Sequence, residues 1–151
     1  MAAKLEGKHA EITQQIIAAF FKVYNTLGYG FAEKVYQNAM LIELRTMGVR
    51  VESQKQIRVY YAGQVVGDFV PDLLVEEVVF VELKAAQQML DEHEAQLLNY
   101  LKATPIEVGL LLNFGPRAQF KRKVYDNDLK GFAHVDKFHI GATLCVKGTT
   151  G

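Results

Sequence analysis

The sequence predicts one α/β domain, a central mixed β-sheet flanked by helices. Three observations predict it. Helical periodicity opens the chain, a block of β-branched and aromatic segments follows, and a last helical segment sits between two strongly apolar runs. The length of 151 residues suits a single domain spanning 1–151, with a core over about 11–125 and a C-terminal extension over 126–151. No internal repeat, low-complexity tract or linker divides it.

From Glu11 to Leu27 the residues Ile12, Ile16, Phe20, Val23, Tyr24 and Leu27 recur at steps of three and four, one face of an amphipathic helix. Gly28-Tyr29-Gly30 ends it, because glycine accepts the left-handed conformation past a helix C-terminus. A second helix is predicted from about Ala32 to Met47, with Val35, Tyr36, Ala39, Met40, Ile42, Leu44 and Met47 on its apolar side and Gly48 closing it. The period then changes to that of strands over Val49–Ser53, Ile57–Tyr61 and Gln64–Val70, the last two joined by an Ala62-Gly63 turn. Asp72–Val75 and Val78–Lys84 follow, and the second is apolar on both faces for four residues, as a central strand should be. Gln87–Lys102 returns to helical spacing, ended before Pro105. Ile106–Phe114 reads as another buried strand and Gln119–Tyr125 as a basic one. Beyond Asp126, Phe132, Val135, Phe138 and Ile140 suggest a short strand or docking segment, and Gly148–Gly151 a frayed end.

Composition narrows the function classes. Hydrophobic residues make 50% of the chain and charged residues 23%, which excludes a disordered chain or a coiled coil. Lys+Arg and Asp+Glu both number 17, so any nucleic-acid binding must come from a local patch. One cysteine, Cys145, excludes an internal disulfide and a thiol-rich zinc site. No apolar run approaches the ~18–20 residues of a membrane span, and Met1–Ala10 lacks the apolar stretch of a signal peptide. The expected location is the cytoplasm.

Chemistry is suggested by charge where it should be absent. The central strand reads Val81-Glu82-Leu83-Lys84, and residues two apart in a strand share a face, so Glu82 and Lys84 project together from an apolar element. A buried carboxylate needs a partner, a metal or a shifted pKa. Asp72, directly after Pro71, can supply a second carboxylate if the register is right. A two-residue Glu76-Glu77 turn would oppose Asp72 to Val81 and send Glu82 to the other face. Convergence therefore requires an odd-length loop or a bulge between Val75 and Val79. Two carboxylates and a main-chain carbonyl, that of Leu83, suit Mg²⁺, with Mn²⁺ a possible substitute, while Lys84 orients a water or offsets negative charge. A structural Asp72–Glu82–Lys84 ion cluster also satisfies buried charge, and spacing alone leaves both readings open.

Four ordered motifs carry a resemblance. Gly30-Phe-Ala-Glu33-Lys-Val-Tyr36 resembles the signature of the GxxExxY protein family, within the PD-(D/E)xK nuclease superfamily. Pro71-Asp72 followed by Glu82-Leu83-Lys84 is similar to the superfamily's split motif, and His93–Leu101 and Gly109–Phe114 resemble the helix and strand that follow. The resemblance covers roughly Glu11–Tyr125 and implies a restriction-endonuclease-like core with a metal-dependent phosphodiesterase site. It implies Asp72 and Glu82 as main metal ligands, Glu33 as an additional metal or water ligand, Lys84 as the catalytic lysine and Gln96 as a contact to water or substrate. From the residues alone, Glu33 can simply complement a helix dipole, and Gln96 shares a face with His93 and Tyr100 that can be a polar seam. His93 reads as structural rather than chemical, and Tyr36 as packing or a hydrogen bond to a site carboxylate rather than a nucleophile.

Basic residues gather around Gln54, Lys55 and Arg58 and again at Arg117, Lys121, Arg122 and Lys123. They are candidate phosphate contacts, Arg122 foremost for its bidentate guanidinium, with Tyr100 a further nucleic-acid contact; a charged strand edge explains the lysines equally well. No recognition helix or base-reading motif is evident. The expected function is a Mg²⁺-dependent nuclease acting on nucleic acid, DNA foremost. The alternative is a non-catalytic module binding nucleic acid or protein on the same fold. A homodimer would double the phosphate-binding surface, with Tyr60, Tyr61 and Phe69 as interface or core residues.

Overall fold

Two helices open the chain in the computed structural model, which describes residues 6–130, 135–140 and 143–148. Helix α1 (Ala10–Leu27) buries Ile16, Ala19, Phe20 and Val23, and Gly28 at φ 69° closes it with its N–H on the Tyr24 carbonyl at 2.8 Å. Helix α2 (Glu33–Thr46) buries Tyr36, Met40 and Leu44, a single row at steps of four. Val35 and Ile42, which the apolar pattern also placed on the core side, are exposed because they fall about 100° or more off that row, and Met47, also placed there, is exposed where it follows the last residue of the helix.

Strands β1 (Val51–Glu52), β4 (Leu73–Val75), β5 (Val79–Lys84), β6 (Val108–Phe114) and β7 (Ala118–Val124) form a mixed sheet in the order β1-β4-β5-β6-β7. Only the central pair, β5 and β6, runs parallel, joined through helix α3 (Asp91–Lys102). Alternation along the strands sorts the core into two. Val79, Val81, Leu83, Leu110 and Leu112 pack under α1 and α2, while Leu74, Phe80 and Leu111 pack under Leu97 and Leu101 of α3.

The hairpin of β2 (Gln56–Tyr61) and β3 (Gln64–Phe69) does not join that sheet. It lies in a second one ordered β3-β2-β9-β8, with β8 (Val135–Ile140) antiparallel to β9 (Thr143–Gly148) and β9 parallel to β2. Ile57 and Phe69 instead cover the α3-side core. The Ala62-Gly63 turn is as predicted, both residues at positive φ between the Tyr61–Gln64 pair. The Val135–Ile140 part of the expected C-terminal strand is β8; Phe132 and the frayed residues after Gly148 lie outside the described residues.

Helix α3 starts at Asp91, four residues later than the periodicity suggests. Asn113 explains the delay. Its amide accepts from the Ala86 N–H at 2.9 Å and donates to the Ala86 carbonyl at 3.0 Å, which takes both backbone groups away from a helix. Gly109 lets α3 settle closely, since an added Cβ would lie 2.7 Å from Leu97 Cδ1. Past the core, buried Lys130 donates to the carbonyls of Thr104 and Ile106 at 2.7 and 2.9 Å and ties down the chain beyond α3.

Candidate active site

The register decides whether the carboxylates meet. Leu73 pairs with Val81 and Val75 with Val79, which leaves the three-residue loop Glu76–Val78, odd in length as convergence requires. Glu76 and Glu77 sit at φ 50° and 59°, and the Val78 N–H closes the turn on the Val75 carbonyl at 3.0 Å. One step beyond Leu73–Val81, Asp72 faces Glu82 on the α3 side of the sheet.

The two acids are laced into each other's strands. The Asp72 N–H donates to Glu82 Oε1 at 3.1 Å, and the Leu83 N–H donates to Asp72 Oδ2 at 2.7 Å. One oxygen of each carboxylate is thus held, and the other remains available. A strand residue's N–H and C=O point to the same side, so the Leu83 carbonyl also faces the β4 edge.

Electrostatics is severe here. Glu82 is only 9% exposed, and burial, reinforced by the charge of Asp72, pushes its pKa up to about 8. Burial also raises Asp72, against the Leu83 N–H and the nearby charges of Lys84 and Lys34, which lower it. Among the described residues none of the ion pairs includes Asp72, Glu82 or Lys84. Lys84 acts on both acids through space rather than by contact. Two adjacent carboxylates with one held oxygen each and no contacting cation fit a small oxygen-seeking dication.

The flanking residues are placed unequally. Glu33, in the first turn of α2, is near enough for its charge to raise Glu82 further. Yet among the described residues no three His, Cys, Asp or Glu side chains gather as a metal-holding group, so Glu33 stands outside the carboxylate pair. Gln96 hydrogen-bonds Tyr100, whose hydroxyl pKa is raised by burial and by the charges of Glu82 and Asp72. Tyr100 stacks on Phe69 at 3.8 Å between ring centroids, which makes Phe69 a wall of this region. Sequence reasoning missed Gln37, which donates to the Asp72 carbonyl at 3.1 Å; its place one turn after Glu33 was the available signal.

The other named residues turn elsewhere. His93 Nδ1 accepts the Leu90 N–H at 3.3 Å and caps α3. Tyr36 is fully buried, stacked on Phe114 at 4.3 Å, with its hydroxyl donating to the Gly28 carbonyl at 2.6 Å. Lys121 and Lys123 share the sheet face of the acids, but both pair with Glu94 of α3, at 2.8 and 2.7 Å. Glu94 and Gln96 lie about 200° apart round the helix, so α3 stands between these lysines and the carboxylates. Arg122 points to the α1 side, donates to the Lys8 carbonyl at 2.6 Å and is not brought to the site, because alternation along β7 reverses it relative to its neighbours. Lys55 pairs with Glu52 at 2.8 Å, and Arg117 is exposed just before β7.

Fold and site together define a nuclease-like α/β protein, with acids on adjacent strands at one end of a mixed sheet. Residues 10–124 match the family model described as PD-(D/E)XK nuclease superfamily, and the chain belongs to that superfamily. A solved structure titled "Crystal structure of SSO0001" is similar, with a TM-score of 0.50 and 17% identity over 78% of this chain. This chain spans 60% of that one, and at such identity the likeness concerns the fold alone. No curated protein matches the chain. Among the described residues no helix is long and apolar enough to cross a membrane.

Proposed function

We propose that the protein is a metal-dependent nuclease of the GxxExxY type that hydrolyses phosphodiester bonds, with DNA its first expected substrate and Mg²⁺ its metal, replaceable by Mn²⁺. The observation that carries this reading is the Asp72–Glu82 pair, a buried carboxylate beside a half-buried one, with no cation in contact among the described residues. Asp72, Glu82 and the Leu83 carbonyl would hold the metal, which when bound supplies positive charge to a phosphoryl oxygen and lowers the pKa of a water. The chain's own residues do the rest. Lys84 projects from the same face as Glu82 and is positioned to orient a water or offset charge on the phosphate. Gln96, steadied by Tyr100, offers an amide to that water or to the strand backbone. Glu33 supplies an outer carboxylate, and Gln37 holds the Asp72 backbone in place.

The test is calorimetric titration of Mg²⁺ and Mn²⁺ into wild-type protein and Glu82→Ala, beside a cleavage screen on plasmid and oligonucleotides. Metal binding and cleavage that both vanish in the variant are expected. Wild-type cleavage by Glu82→Ala, or no specific binding at millimolar metal, would overturn the assignment in favour of a binding module.

A further inference from the structure

Two large aromatic side chains lie open to solvent where the fold has no need of them. Tyr29 and Phe31, on the loop between α1 and α2, are 59% and 47% exposed. The loop beneath them is firmly built. Tyr36 closes it from inside, its hydroxyl donating to the Gly28 carbonyl at 2.6 Å and accepting the Phe31 N–H at 3.2 Å. Gly28 and Gly30, at φ 69° and 117°, give the backbone a path that other residues rarely take. Phe31 meets the Tyr36 ring edge-on at 6.1 Å, while among the described residues none of the ring contacts involves Tyr29.

The loop leads directly into the turn of α2 that reaches the carboxylates. Phe31 stands two residues before Glu33, at most about 8 Å along the chain, and three before Lys34. The charges of Glu33 and Lys34 reach Glu82 and Asp72 respectively, and Gln37, one turn on, touches the Asp72 carbonyl. A strand with a phosphate at the acids would bring its neighbouring bases within reach of this loop, with Lys34 available to its backbone.

We propose that Tyr29 and Phe31 form a stacking platform for unpaired nucleobases, so that the substrate is single-stranded or frayed at the point of cleavage. The inference rests on the nuclease reading above and names its substrate class. Aromatic rings stack on any base whose face is free, whereas an intact duplex keeps those faces inside its own stack. A loop already fixed by Tyr36 loses little freedom when a base settles on it.

The test is fluorescence anisotropy with a labelled 15-nucleotide single strand and a blunt hairpin duplex of the same sequence, in EDTA so that nothing is cut. Wild type should prefer the single strand. Tyr29→Ala should weaken that binding roughly tenfold, and the Tyr29→Ala/Phe31→Ala pair by up to about 100-fold, with the salt dependence unchanged. Tyr29→Phe should bind as wild type, and Lys34→Gln should lower the salt slope by about one. Wild-type single-strand affinity in Tyr29→Ala overturns the platform, as does an equal loss on single strand and duplex; a platform that serves a protein partner would give the first of these results. If those variants are unaffected while Glu82→Ala still loses metal-dependent cleavage, the platform falls and the nuclease reading stands. If wild type binds neither oligonucleotide, the platform falls, and the nuclease reading is decided by the metal-dependent cleavage screen.

Discussion

Glu82 carries the most perturbed charge of the proposed site, and its consequences can be worked out with sign. Its folded pKa, about 8, lies above the ordinary 4.5, so the folded state holds a proton that the unfolded chain has already released. Without metal, stability should therefore fall as pH rises from about 4.5 to 8 and level off beyond, a loss on the order of a few kcal/mol. Glu82→Gln keeps an acceptor for the Asp72 N–H and carries no charge, so its stability should be flat across that window and exceed wild type at pH 8; urea denaturation at pH 5 and pH 8 checks both. A metal binding the ionised pair must displace that proton, so Mg²⁺ affinity should rise with pH up to about 8, up to roughly tenfold per unit. Titrations in two buffers of different ionisation enthalpy would count the protons released. Much of this residue's story was legible in the chain, because charge inside an apolar strand is conspicuous. Gln37 was less so, since its place one turn after Glu33 was the one signal and its partner, a backbone carbonyl 35 residues away, leaves no mark on the helix.

Among the elements, α3 and the loop before it depend on two glycines that differ in what surrounds them. At Gly109 an added Cβ would press on the buried side chain of Leu97, and at Gly115 it would lie 2.1 Å from the backbone oxygen of Ala86. A side chain can shift by a few tenths of an ångström and a clamped backbone cannot. Gly109→Ala should cost about 1–3 kcal/mol in chemical denaturation, and Gly115→Ala more. Gly115→Ala should also loosen the Ala86–Leu90 segment, visible as faster amide exchange at Ala86, whose N–H bonds to Asn113. Periodicity located α1, α2, α3 and every strand of the five-stranded sheet to within a few residues, but not the short helical turn at Asn127–Leu129. It failed at the start of α3 because the contact that delays the helix, from Asn113, is long in sequence and leaves local spacing helical. The sequence also groups Lys121, Arg122 and Lys123 in one basic cluster, which alternation divides, since the strand carries Lys121 and Lys123 on one face and Arg122 on the other.

The whole molecule places its unneutralised acids on the α3 side, next to Phe69 of the second sheet, and its aromatic loop at the start of α2. A divalent ion that binds only the folded form should raise the melting temperature, and by mass action the gain grows with the logarithm of metal concentration. Mg²⁺ at a hundred times its dissociation constant should add about 2.7 kcal/mol, and none in Asp72→Ala; differential scanning fluorimetry across a metal series measures it. The sequence could not show that β2 and β3 leave the main sheet, because alternation reports which face of a strand is buried and not which sheet it joins. The short Glu76–Val78 loop has a further consequence for how this chain can change. Inserting or deleting one residue there exchanges the two faces of β4 relative to β5, carrying Asp72 to the side of α1 and α2 and burying Leu74 where Leu73 had been. Length changes at that turn are tolerable only in twos, a rule of parity that three residues impose on a site more than 10 Å away, since each strand residue advances about 3.3 Å.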